Sequence, residues 1–143
     1  QCDSREDCAE AALSELGEDD VDVDNFLQAF AFYAVTLNMD SPMQGGKNYY
    51  LANAGGRGGS KRWSIVPYDL DNALSGIGAG ICSEECQPKM VRWSVLRPTC
   101  QDVHTSQLAG PFLSRLDLRD RYLTHVRTIV DIMSDPDFVR EIE

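Results

Sequence analysis

The segment Asp24-Asn25-Phe26-Leu27-Gln28-Ala29-Phe30-Ala31-Phe32-Tyr33-Ala34-Val35-Thr36-Leu37 constrains the fold more than any other part of the chain. Wound as a helix it is apolar on nearly every face, through Phe26, Leu27, Phe30, Ala31, Phe32, Tyr33 and Val35. A helix of that kind must lie at the centre of a larger packed body. Its apolar run, residues 29–37, falls well short of the ~20 residues needed to cross a bilayer, so protein must cover it. The rest of the chain can supply that cover: 43% of its 143 residues are apolar, which supports one packed domain and not disorder.

The order of elements around this helix reads as α+β, mostly helical with one small hairpin. Ser4 with Asp7 resembles a capping box for a short first helix that ends at Gly17. The acid run of residues 17–24 is a solvated connection whose last acids suit the N-terminus of the central helix. Asn38-Met39-Asp40-Ser41-Pro42 ends that helix. Two strands are expected, at about residues 48–52 and 61–67, joined by Gly55-Gly56-Arg57-Gly58-Gly59, with Trp63 and Ile65 on one apolar face. Pro111 fits the first turn of a later helix, and Leu118, Tyr122, Val126, Ile129 or Val130, and Met133 mark a long amphipathic one. Asp135-Pro136 caps and starts a last helix. No initiator Met opens the chain and a helical pattern is still running at residues 137–143, so a segment of a longer protein is expected.

Charge and cysteine usage narrow the setting. The net charge is -10, with eleven acids and one base in residues 1–40, but four bases and no acid in residues 41–68. Such a chain is a poor non-specific binder of nucleic acid, while the basic stretch around Lys47 suits a phosphorylated small ligand or plain solvent exposure. No segment is expected to span a membrane. Cys2, Cys8, Cys82, Cys86 and Cys100 lack the spacing of a structural zinc site and fit disulfides in an oxidising compartment, with the pairing open. Residues 73–104 read as a cysteine-containing loop insertion. The run Asp20-x-Asp22-x-Asp24-Asn25 has Asn25 where a calcium loop needs glycine and Ala31 where it needs glutamate, so it reads as a solvated acidic turn. Trp63 and Trp93 read as core anchors, and neither His104 nor His125 has an acid-base partner nearby in sequence.

One cluster carries chemistry. Asp40 leaves the buried helix, Asn48 opens the first strand, and Asp69 and Asp71 follow the second. A hairpin brings the start of its first strand beside the end of its second, so Asn48 and Asp69 are expected to face one another across twenty residues. Carboxylate and amide oxygens make a hard, open ligand set suited to magnesium or manganese. Asp40 is then placed to orient or deprotonate a hydroxyl, and Asp69 and Asp71, flanking Leu70, need not do the same work. The same residue types also form ordinary turns and caps.

Asp24-Asn25-Phe26-Leu27, Asn38-Met39-Asp40, Asn48-Tyr49-Tyr50-Leu51 and Trp63-Ser64-Ile65-Val66-Pro67-Tyr68-Asp69-Leu70-Asp71-Asn72, in this order, resemble the core of the spore-coat CotH kinase family; Pro111-Phe112-Leu113 and Arg121-Tyr122-Leu123 resemble its late helices. The resemblance implies an atypical protein kinase that uses ATP and Mg2+ or Mn2+ to phosphorylate protein serine. It makes residues 1–143 a single segment like the C-terminal lobe of such a kinase, truncated at both ends, with its hairpin carrying the metal site. By position Asp40 resembles the catalytic-loop aspartate, Asn48 and Asp69 the metal ligands, and Asp71 a further member of that signature; Lys47 is the candidate for cofactor binding although it adjoins Asn48. The implied partners are the remainder of the parent chain, which would bring the N-terminal lobe, and extracellular or coat proteins. The implied location is extracellular, at the cell surface or in the secretory lumen. No glycine-rich nucleotide loop precedes Asp24, so the segment alone is expected to be inactive. A catalytically silent kinase-like domain of a cell-surface or extracellular assembly is the alternative, because a fold does not by itself confer catalysis.

Overall fold

A computed structural model of the chain describes residues 20–38, 40–43, 46–55, 61–74, 92–96 and 106–142. The first helix expected from the Ser4 capping box, His104, the five cysteines and most of the 73–104 insertion lie outside these residues.

The element order is α1 (Val23–Val35), β1 (Tyr49–Gly55), β2 (Lys61–Pro67), α2 (Ala109–Ser114), α3 (Leu116–Met133) and α4 (Pro136–Ile142). This is a mostly helical α+β fold. Helix α1 begins because Asp22 caps it, its carboxylate accepting the Asn25 N–H at 3.1 Å. The helix ends in a Schellman motif: Leu37 turns left-handed at φ 52°, while the Leu37 and Asn38 N–H groups return to the carbonyls of Ala34 and Tyr33. Glycine usually fills that turn, and a leucine there costs about 1–2 kcal/mol.

Helix α1 is the centre of the core, with Leu27, Phe30, Ala31, Tyr33 and Ala34 almost fully buried. Helix α3 packs along it through Leu118, Tyr122 and Val126, the i, i+4 stripe that the sequence indicated. Helix α2 contributes Phe112, which stacks on Phe26 with centroids 5.2 Å apart and meets Phe30 edge-on. Contacts of this kind add about 0.5–1.5 kcal/mol each beyond burial. Ser106 joins the loop after α1 to the start of α2: its hydroxyl donates to the Pro42 carbonyl at 2.9 Å and accepts from the Ala109 N–H at 3.1 Å. The Tyr122 hydroxyl donates to the Val95 carbonyl at 2.6 Å and so ties residues 92–96 to α3.

The two strands pair antiparallel, Tyr49 opposite Pro67 and Gly55 opposite Lys61, which starts β1 one residue later and ends it three residues later than expected. Helix α1 holds the outer edge of β2 directly. Ile65 donates its N–H to Asn25 Oδ1 at 2.7 Å, and Trp63 exchanges two backbone hydrogen bonds with Asp20 and Asp22. Ile65 is buried. Trp63 is not a core anchor: its backbone pairs with residues 20–22, just before the start of α1, and 45% of it remains exposed. Trp93 is half-buried.

Candidate functional site at the base of the hairpin

The loop after α1 and the base of the hairpin meet at Asp40 and Asn48. Asp40 is buried. It is held from behind by Asn38, whose side-chain oxygen accepts the Asp40 N–H at 3.1 Å. From the front, Asn48 Nδ2 donates both to the Asp40 carbonyl at 2.8 Å and to its Oδ2 at 2.9 Å. The other carboxylate oxygen, Oδ1, lies 2.7 Å from Lys47 Nζ, an ion pair off the direction of a hydrogen bond. A buried carboxylate needs such partners to remain charged. Lys47 itself is more than half exposed, so its ammonium borders both Asp40 and solvent.

Asn48 adopts a left-handed backbone, φ 63°, and so does Asp69, φ 52°. Asparagine and aspartate tolerate this region better than other residues with a side chain, and residues held there gather at functional sites. The carbonyl of Asn48 accepts the Tyr68 N–H at 3.1 Å, extending the hairpin pairing by one step past Tyr49 and Pro67. Asn48 and Asp69 therefore adjoin the same end of the ribbon. The chain turns left-handed at Asp69, past the end of β2, and the Asp71 carboxyl lies near enough to act on the Asp69 carboxyl. The Asp71 charge is the largest cause that raises the pKa of Asp69, followed by partial desolvation, hydrogen bonding to Asp71 and the charge of Asp40, with Lys47 opposing. Asp71 also accepts from Asn72 Nδ2 at 2.8 Å.

All five residues singled out by sequence, Asp40, Lys47, Asn48, Asp69 and Asp71, thus belong to one electrostatic neighbourhood. Their chemistry suits a hard divalent cation. Asn48 commits its Nδ2 to Asp40 while its Oδ1 accepts no hydrogen bond among the described residues. The crowded carboxylates are a negative charge that a cation would relieve. Among the described residues no three His, Cys, Asp or Glu side chains form a group able to hold a metal ion. So small a donor set could serve only an open site completed by water and phosphate oxygens, of the kind magnesium prefers, and not a closed protein cage.

Two further features were not visible in sequence. Tyr33, on the buried helix, donates its hydroxyl to the Asn48 carbonyl at 2.7 Å. His125 has an acidic partner after all, because Asp24 Oδ1 lies 3.1 Å from His125 Nε2 and 3.1 Å from Arg121 Nη2. Residues separated by 97 and 101 positions meet there because α1 and α3 lie side by side, a pairing that local spacing does not reveal. With Asp22 capping α1 and Asp24 paired to α3, both acids already have structural roles, as an acidic turn requires.

A helical body with one hairpin carries a loop-borne aspartate and asparagine joined at the hairpin base, and the comparison with known families identifies that body as a kinase-like domain. The chain belongs to the CotH kinase family: the family model described as CotH kinase protein matches residues 6–143. No curated protein and no solved structure matches the chain. None of the described helices is long and apolar enough to cross a membrane.

Proposed function

We propose that this domain supplies the metal-holding and proton-accepting half of an extracytoplasmic protein kinase site, working with an N-terminal lobe elsewhere in a longer parent chain to phosphorylate protein serine. The observation that carries this reading is the double hydrogen bond from Asn48 to Asp40, which couples a candidate ligand to a candidate base. ATP would supply the transferable phosphoryl group, and Mg2+ or Mn2+ would neutralise charge on its oxygens. Asp40 orients the serine hydroxyl and accepts its proton, since Asn48 and Asn38 fix its position. Lys47 places a cation beside that carboxylate, where a phosphate group would also benefit from it. Asn48 Oδ1 and Asp69 offer metal oxygens, with Asp71 as their neighbour.

A second reading, a silent structural or adhesive domain, is favoured by the fact that both oxygens of Asp40 are already engaged within the chain. Transfer of labelled γ-phosphate by the full-length protein, with Mn2+, tests the choice. The kinase reading expects Asp69→Asn to abolish transfer while circular dichroism is unchanged; undiminished transfer in that variant refutes the metal role. Absence of any transfer by the wild type to itself or to co-assembled proteins, read by phosphosite mass spectrometry, supports the silent reading.

A further inference from the structure

We propose that Tyr33 is a positioning residue for the candidate metal site: its hydroxyl, reaching up from the buried helix, locks the Asn48 main chain in the conformation that presents Asn48 Oδ1 outward. The proposal rests on the kinase reading for the ligand and on geometry alone for the lock.

Tyr33 is 1% exposed, on the last turn and a half of α1, and its ring packs in the core. Its hydroxyl donates out of that core to the Asn48 carbonyl at 2.7 Å, with the Tyr68 backbone also beside it. That carbonyl also accepts the Tyr68 N–H at 3.1 Å, so both of its lone pairs are used and the peptide plane after Asn48 cannot turn. The consequence falls on the side chain. Asn48 stands at φ 63°, which costs a residue with a Cβ free energy unless its surroundings hold it. From that backbone its Nδ2 reaches the carbonyl and the Oδ2 of Asp40 together, and the amide plane then fixes where Oδ1 points. Among the described residues the Tyr68 N–H and the Tyr33 hydroxyl are the donors on this carbonyl, and only the second comes from the rigid core. A buried tyrosine suits the task. A tyrosine hydroxyl is protonated across the physiological range and so remains a donor there.

Tyr33→Phe removes the hydroxyl and keeps the ring. Thr36→Val is the comparison: it removes another buried hydroxyl of the same helix end, one that donates to Phe32 and does not touch Asn48. Both variants are made in the full-length protein. Mn2+ is titrated and its free concentration followed by electron paramagnetic resonance, with the Asn48 amide and side-chain signals read by NMR on asparagine-labelled protein. Tyr33→Phe is expected to weaken Mn2+ binding about tenfold, the lower end for groups that orient a metal ligand, and to shift the Asn48 signals, while Thr36→Val does neither. Unchanged Asn48 signals in Tyr33→Phe overturn the proposal. Equal loss of Mn2+ affinity in both variants overturns it too, because a general loosening of α1 would then be the cause. If the wild type binds no Mn2+, the metal reading fails, and the Asn48 signals alone decide whether Tyr33 holds that residue.

Discussion

Asn25 links the central helix to the hairpin, and replacing it by alanine tests how the site is carried. Its side-chain oxygen accepts the Ile65 N–H at 2.7 Å, where a third strand would otherwise pair. Alanine removes the acceptor and leaves a donor in a partly buried position beside a residue that is 1% exposed. An orphaned donor of this kind costs about 1–3 kcal/mol. At roughly 3–5 °C per kcal/mol for a domain of this size, the melting temperature should fall by about 3–15 °C, nearer the low end since water can reach part of the site. Asn25→Asp, which keeps an acceptor, should lose less despite the added charge. Thermal unfolding gives the total, and hydrogen exchange at the Ile65 amide gives the cause, since its protection should drop more than that of the paired strand amides. An Asn25→Ala protein that melts with the wild type and keeps Ile65 protected would refute the claim that this bond anchors the hairpin.

The Asp24 and Asp69 carboxylates make opposite predictions with pH. Asp24 has its pKa lowered, chiefly by its hydrogen bond to His125 and further by Arg121, so its contribution to stability is present above the ordinary carboxylate range and vanishes as pH falls through the lowered value. Asp24→Asn should therefore cost stability at neutral pH, by no more than about 1 kcal/mol for so exposed a pair, and should match the wild type in strong acid. Melting curves of both proteins from pH 7 to pH 2 check this; a gap that persists in acid assigns the loss to something other than the ion pair. Asp69 has its pKa raised, mostly by Asp71, so it holds its proton to a higher pH than an isolated aspartate. Removing the Asp71 charge with Asp71→Asn should move the Asp69 carboxyl titration, followed by carbon NMR, to lower pH. The pH window over which Mn2+ affinity rises should move the same way, and an unmoved titration means the two carboxyls are not coupled.

The sequence announced its elements where their causes are local. The acidic N-terminus of α1, its all-round apolar face, the Asp135-Pro136 start of α4 and the stripe Leu118, Tyr122, Val126 depend on residues within a few positions of one another, so spacing sufficed. The candidate site was half legible for the same reason. A hairpin requires its two ends to meet, and the order of Asn48 and Asp69 around it named both, together with Asp40 and the family. Trp63 shows the limit: alternation gives the face of a strand but not how much of that face is covered, and Trp63 stays 45% exposed where Ile65, two residues on, is buried.

What the chain alone determined is therefore which residues are helical, which pair, and which acids and amides gather at the hairpin base, all consequences of periodicity and chain connectivity. What only the tertiary structure decided is who holds them: Tyr33 under Asn48, Asn25 beside Ile65, His125 and Arg121 on Asp24, and Asp71 against Asp69. Most of those contacts join residues 15 to 101 positions apart. The geometry of those distant contacts follows from how α1 packs between α3 and the hairpin, which no local pattern of side chains specifies.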